Sequence, residues 1–438
     1  MTVLTLRALQ QDVEALFSPG RSPTRPGAVG AEVELIAVTD ESEPRPVSLF
    51  DEVDGVPSLA GFLTAWAAST ELLAEEWDDL GNVRFRTFRG GVVTFEPGGQ
   101  LEYSTLPCPT AAAALADVRA VLDPLREAAL EQGIALVPRG LNPWHGLGDI
   151  DLQIESPRYA AMDRYFERTG SYGQQMMRFT AAMQVNLDLG DPARARNRWR
   201  IANLLSPVLR AAFANSPADV DGVGPVVGGR SVLWDRADPG RTGVAGWTGG
   251  DSGVSPWEDY LAFALSAPVM LKRDHGGNLR AAEEGLRFEE WLGAADGPPS
   301  AEEWRVHLTT LFPDVRPRGW LEVRCVDVPA EAWWGVPLTL LPALLYDDEA
   351  LHSLESVLRP LAAELPEHVR SAPRGGLASG LVADLAPLVF ELALDAVHRS
   401  PPGYFDDSML EATEEFRRRY VLRRRTQADE EGVPRARF

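Results

Sequence analysis

Seven residues, Glu96-Pro97-Gly98-Gly99-Gln100-Leu101-Glu102, constrain this chain more than any other stretch, because they set two carboxylates and an amide around a glycine turn. Val92-Val93-Thr94-Phe95 reads as a strand, and Leu101-Glu102-Tyr103-Ser104 resumes the alternation after the turn. Successive side chains of extended backbone point to opposite faces, so Gln100, Glu102 and Ser104 share one face and Leu101 and Tyr103 the other. Gly98 and Gly99 permit the positive φ of a turn or bulge that re-aims the side chains beside it. A strand that lines acids along one face turns that face to water or to a cation.

Three further segments repeat the pattern. Gly30-Ala31-Glu32-Val33-Glu34-Leu35 places two glutamates at i, i+2 with Val33 and Leu35 opposite. In Met183-Gln184-Val185-Asn186-Leu187-Asp188-Leu189, Gln184, Asn186 and Asp188 align. Trp320-Leu321-Glu322-Val323-Arg324-Cys325 aligns Glu322 with Arg324. Each strand is apolar on one side and carries oxygen donors or guanidinium groups on the other. A half-exposed antiparallel sheet with solvated charges has this pattern too. Four such strands, with glutamine and asparagine in place of lysine, favour a hard cation, since oxygen-only donor sets suit Mg²⁺ accompanying a phosphate substrate.

The motifs recur in a recognisable order. Gly-x-Glu-x-Glu (30–34) is followed by Glu-Pro-Gly-Gly-Gln-x-Glu (96–102), Arg158-Tyr159, Met162 and Met176-Met177. Then come Gln184-Val185-Asn186-Leu187-Asp188, Ala214-Asn215-Ser216-Pro217, Arg230-Ser231-x-x-Trp234 and Arg241-Thr242-Gly243. The stretch from His307 to Arg316 leads into Leu321-Glu322-Val323-Arg324 and Asp327. Together these segments, spanning about residues 30–347, resemble the glutamate–cysteine ligases of the second, plant and bacterial, family.

That resemblance implies an ATP-dependent ligase with a glutamine synthetase-like catalytic fold. It would join the γ-carboxylate of glutamate to the amine of cysteine through a γ-glutamyl phosphate. It also implies metal ligands at Glu32, Glu34, Glu96, Glu102 and Glu322, with Gln184 a weaker candidate, for Mg²⁺. Arg230 would grip the glutamate carboxylate with its bidentate fork. Arg324 and Arg241 would meet phosphate oxygens, Met177 would touch the aliphatic part of glutamate, and Asn186 would orient a ligand or contact phosphate. Structural roles stand beside these: Arg324 could pair with Glu322 or Asp327, Arg241 could hold its own loop, and Met177 could be core.

The chain departs from the family pattern at Leu35-Ile36-Ala37, at Ala218 and at Cys325 with Asp327-Val328-Pro329. Pocket walls set acceptor choice through small free-energy differences, so a ligase for another amine remains open. So does a binding or regulatory protein that holds nucleotide or metal without turnover.

Composition bounds the rest. The formal charge of −22 argues against a general nucleic-acid binder, which needs a basic surface. The runs Arg417-Arg418-Arg419 and Arg423-Arg424-Arg425 read as a solvated helical face. Cys108 and Cys325 form neither a disulfide framework nor a zinc spacing, and no stretch approaches the roughly 20 apolar residues of a membrane span. The N-terminus lacks a signal-peptide pattern, so a cytoplasmic monomer or homodimer acting on glutamate, cysteine and ATP is expected. The six histidines are dispersed; His307 is the one worth testing, against the reading of a core histidine.

Helices are expected over 5–17, 58–73, 111–132, 158–179 with a break at 170–173, 193–214, 337–367, 377–399 and 406–425, and a long glycine-rich loop over 220–250. Strands and helices interleave without βαβ rhythm, and no P-loop is present. The fold class is therefore α+β: a curved antiparallel sheet forming a polar-lined funnel with helices on its outer face. A single catalytic domain over 1–438 is expected, with 377–438 a possible helical C-terminal cap within it.

Overall fold

The computed structural model describes residues 4–18, 27–77, 82–154, 156–244, 255–274, 276–294 and 297–438. At its centre lies a nine-stranded sheet. The strands are β1 (Val29–Thr39), β2 (Leu73–Trp77), β3 (Val83–Thr87), β4 (Val92–Phe95), β5 (Leu101–Ser104), β6 (Ile134–Val137), β7 (Met183–Leu187), β8 (Val315–Pro317) and β9 (Leu321–Val323). Their order is β8-β9-β7-β1-β5-β4-β3-β2, with β6 pairing the far end of β1. All the pairings are antiparallel.

Register decides what this sheet can do. Glu34 stands opposite Glu102, and Glu32 stands opposite Ser104 on one side and Gln184 on the other. Asn186 faces Glu322, which in turn faces Arg316. Thr94 lies opposite Glu102. Because the side-chain period is two, a slip of one residue in any pairing would carry its acids to the opposite face. The other face is apolar: Val33, Leu35, Val93, Leu101, Tyr103, Val185, Leu187, Leu321 and Val323 are all buried.

Helices cover that apolar face. Helix Ala111–Glu131, capped by Thr110, packs on β1 and β6. Helix Gly335–Tyr346, buried from Gly335 through Leu345, packs on β1 and β7, and a helix apolar all round belongs in a core. Helices Gly380–Arg399 and Asp407–Phe416 lie against it and share its hydrophobic cluster, and residues 417–421 continue as a π-turn. Among the described residues no single helix is long and apolar enough to cross a membrane.

The expected loop over 220–250 is corrected by the structure. Its residues 245–250 lie outside the described ones; the rest contains strand Gly224–Val226 and helix Gly229–Ala237. The glycines that suggest a loop mark close backbone approach instead. A Cβ on Gly228 would lie 2.8 Å from Pro373, and one on Gly229 would lie 2.8 Å from the Ser216 carbonyl oxygen. The 337–367 segment is also divided, into Gly335–Tyr346, Asp348–Leu358 and the start of Leu365–Gly375.

Candidate active site

The glycine turn at residues 96–102 builds the first part of the site. Gly99 has φ of 85° and donates its N–H to the Glu96 carbonyl at 2.8 Å. Gly98 has no room for a side chain, since a Cβ there would fall 2.2 Å from the Arg178 carbonyl oxygen. The Gln100 amide knits the turn together, accepting from Gly98 N at 3.0 Å and donating to the Thr180 carbonyl at 2.9 Å. Gln100 is thereby spent on structure, while Glu96 and Glu102 are left to face the sheet's polar surface.

Glu32, Glu34 and Glu102 converge there, each with a carboxylate oxygen within 4.8 Å of the others. Glu34 accepts from Ala182 N at 2.7 Å, and Glu102 accepts from Thr94 Oγ1 at 2.9 Å. Gln184 Nε2 donates to both Glu32 and Glu34. These bonds do not neutralise the charge. Burial first, and then Glu322 and Glu34, push the Glu32 carboxyl up to about 7. Burial with Glu34 and Glu32 does the same for Glu96, also to about 7. Glu102 is raised well above the usual range by burial, Glu32 and Glu96; Glu34 is raised by burial despite Arg230. Four acids that repel one another in a partly desolvated place form an oxygen-only donor set for a hard divalent cation.

Glu322 is different. It accepts from Arg316 Nε at 2.6 Å, Arg324 Nη1 at 2.9 Å and Arg318 Nη1 at 3.2 Å. Burial alone would raise its carboxyl, but Arg324 and Arg316 outweigh it and hold the group down at about 2. The predicted metal set thus divides into a cation-poor group (Glu32, Glu34, Glu96, Glu102) and a glutamate enclosed by guanidinium. Gln184 bridges the two. Its Oε1 accepts from Arg324 Nη1 at 2.7 Å, so its oxygen faces the arginine and its amide nitrogen faces the acids. Asn186 borders Glu322, and its Oδ1 accepts from Trp320 Nε1 at 2.9 Å.

Arg230 reaches the same region from helix Gly229–Ala237. Its Nη2 donates to the Arg324 carbonyl at 3.0 Å, and its guanidinium lies 5.6 Å from the Trp234 ring centroid. Arg324 lies 5.9 Å from the same ring. Arg230, Trp234, Arg324 and Cys325 line a cavity of 20 Å³. Met177 is buried in a small apolar cluster with Met162, Tyr165 and Met270, against which Trp234 also packs.

Arg241 does not join this group, and its expected phosphate role is corrected. It is fully buried, with Nε on Asp238 at 2.7 Å, Nη1 on the Thr310 carbonyl at 2.7 Å and Nη2 on the Pro268 carbonyl at 2.6 Å. Longer contacts to Thr310 Oγ1 and Tyr165 OH occupy the remaining donors. No N–H is left for a phosphate.

The family model for glutamate–cysteine ligase family 2 (GCS2) matches residues 28–396, which include every site residue placed above. The chain belongs to that family. A chloroplastic glutamate–cysteine ligase of Nicotiana tabacum is 32% identical over 343 residues, covering 74% of this chain and 63% of that protein. Glutamate–cysteine ligase EgtA of Mycobacterium tuberculosis is 36% identical over 281 residues, 62% of this chain and 63% of that protein. The chain therefore spans a little under two-thirds of the length of these relatives. A solved glutamate–cysteine ligase of Francisella tularensis in complex with AMP is a distant likeness, with TM-score 0.46 and 12% identity over 92% of this chain and 83% of that one.

For this GCS2 member, sequence reasoning missed Arg316 and Arg318 as the collar of Glu322. The signal was present: Arg316 and Glu322 flank a short turn through Arg318-Gly319 and fall opposite each other once the hairpin closes. Tyr159 lies near the acids; burial and the charge of Glu96 push its phenol up. Trp234 and Trp320 were likewise unassigned.

Proposed function

We propose that this protein is an ATP-dependent carboxylate–amine ligase that makes γ-glutamylcysteine from L-glutamate and L-cysteine. One observation carries the reading: Glu32, Glu34 and Glu102 converge, Glu96 lies within electrostatic reach of them, and the guanidinium groups of Arg230 and Arg324 act on the same cluster. Bringing a substrate carboxylate to a triphosphate gathers negative charge, and both kinds of group answer it. Glu32, Glu34, Glu96 and Glu102 would hold Mg²⁺, with Glu322 beside them in its arginine collar. Bound there, the ion supplies charge neutralisation of the phosphates.

In the reaction, a γ-carboxylate oxygen of glutamate attacks the terminal phosphorus of ATP, and ADP leaves. The cysteine amine then attacks the acyl carbon, the C–O bond to phosphate breaks, and the amine proton passes to solvent. Arg230 would orient the glutamate by its other carboxylate, Met177 and Trp234 would border its methylenes, and Arg324 would face the phosphoryl oxygens. Asn186 would orient a ligand or contact a phosphate. No protein nucleophile is required. The product would feed a low-molecular-weight thiol pathway such as glutathione or ergothioneine synthesis. The whole chain would act as one catalytic domain on small molecules, and a reducing cytoplasm suits two buried free thiols.

A second reading rests on Cys325, which lines the cavity beside Arg230 where the family pattern has glycine. It would keep the chemistry and change the amine. The test is ADP release by purified protein with Mg²⁺, ATP and glutamate, with and without a panel of amines, and products identified by mass. Cysteine-dependent release of γ-glutamylcysteine supports the main reading. Turnover with another amine selects the second. No turnover with any amine would sink both and leave a binding or regulatory role.

A further inference from the structure

Ala214-Asn215-Ser216-Pro217 and Asp327 belong to the ordered motifs, yet none of them reaches the acids or the proposed substrate. Their contacts converge on Arg230. Asp327 is buried behind it, with Oδ1 3.7 Å from Arg230 Nη1. The other oxygen, Oδ2, accepts from Ser216 Oγ at 2.5 Å and from Asn215 N at 3.0 Å. Ser216 Oγ in turn accepts from the backbone N–H of Arg230 at 3.1 Å. Asn215 Nδ2 donates to the carbonyls of Pro138 and Val328, anchoring the segment on both sides.

A ring of contacts results: hydrogen bonds join the Arg230 backbone to Ser216 and Ser216 to Asp327, and an ion pair, too long for a hydrogen bond, joins Asp327 Oδ1 to the Arg230 guanidinium. It holds the arginine at both ends of its side chain. Gly140 closes the space behind Asp327, since a Cβ there would fall 2.5 Å from the Asp327 Cγ. Arg230 Nη2 is taken by the Arg324 carbonyl, while Arg230 Nε is buried and without a protein partner among the described residues. The guanidinium is thus fixed by one edge and keeps a donor in reserve, the arrangement of a pre-oriented carboxylate grip.

We infer that Asp327 and Ser216 are positioning residues that set the orientation of Arg230 toward its substrate carboxylate; this rests on the ligase reading above. They act through Arg230 and touch no reacting atom. A residue that acts through another loses its effect when that other is changed, so the test is a double-mutant cycle. Glutamate and ATP KM, kcat and melting temperature are measured for wild type, Asp327→Asn, Arg230→Lys and the double variant.

Asp327→Asn is expected to raise the glutamate KM about 10-fold or more while leaving the ATP KM near wild type. In the Arg230→Lys background the same substitution should change it by less than about 2-fold. Ser216→Ala, which removes both hydroxyl contacts, should shift the glutamate KM in the same direction and serves if Asp327→Asn fails to fold. An unchanged glutamate KM in the well-folded variant, or an equal fold-change in both backgrounds, would overturn the inference and leave the ligase reading intact. Absence of glutamate-dependent ADP release in wild type would overturn the ligase reading itself and this inference with it.

Discussion

Glu34 and Glu102 stand directly opposite each other on neighbouring antiparallel strands, a like-charge pair at the centre of the sheet. Such pairs destabilise a sheet by up to about 1 kcal/mol when exposed, and by more when withdrawn from water. Glu32 and Glu96 add to the repulsion. A divalent cation should therefore stabilise the folded protein, by about 2.7 kcal/mol at a hundredfold excess over its Kd. Thermal melts in EDTA and in rising Mg²⁺ should show the melting temperature climbing. Glu102→Gln should melt higher than wild type without metal and respond less to it. A full magnesium response in that variant would show that the cation lies elsewhere.

The two kinds of glutamate should fail differently when neutralised. Glu96→Gln removes one charge from a repelling cluster, so the protein should fold normally and lose Mg²⁺-dependent ADP release by about 100-fold or more. Glu322→Gln leaves Arg316, Arg318 and Arg324 without their carboxylate. Breaking a buried ion pair costs about 3–5 kcal/mol, so this variant should lose stability together with activity. Calorimetry beside the ADP assay separates the cases, and equal melting temperatures in the two variants would remove the distinction drawn between them.

The acid strands were legible because strand alternation needs only nearest neighbours: Glu32, Glu34, Glu102, Gln184 and Glu322 each declare their face within a few residues. The pairing of Glu34 with Glu102 was not legible, since it joins two strands far apart in sequence, and the turn at Gly98-Gly99 sets only the register of β4 against β5. Helix Gly229–Ala237 escaped for a related reason. Its residues Gly229 through Leu233 are all buried, so it lacks the amphipathic stripe by which a helix is recognised, and its glycines answer to Pro373 and Ser216. Motif membership could not tell Arg230 from Arg241 either, because burial and acceptor supply decide which guanidinium is free.

Arg241 offers a test of that last point. All its donors are engaged by Asp238, Thr310, Pro268 and Tyr165, in a fully buried place. Arg241→Met should destabilise the fold by about 3–5 kcal/mol, chiefly by leaving the buried Asp238 carboxylate without its cation, with only Tyr165 and Gly240 still donating to it. The fraction that stays folded at low temperature should keep its ATP KM within about threefold of wild type. Loss of turnover at an unchanged melting temperature would return Arg241 to the phosphate role that its motif suggests.

His307 makes a pH prediction. It is buried against Phe288 and Trp304; Nε2 lies 2.8 Å from the Ala264 carbonyl and Nδ1 has no partner among the described residues. Burial holds the folded imidazole down at about 3, against about 6.5 in an unfolded chain. Between these values the unfolded state binds the extra proton, so this contribution to stability is complete above about pH 6.5 and is lost as pH falls toward 3, by about 2 kcal/mol at pH 5. His307→Gln keeps a donor for Ala264 but does not titrate. Urea unfolding at pH 7 and pH 5 should show the variant less stable at pH 7 yet losing about 2 kcal/mol less on acidification. Every other titrating group, the site glutamates included, is common to both proteins and cancels in the difference. Equal losses in the two proteins would mean that His307 is not the neutral, buried base this packing describes.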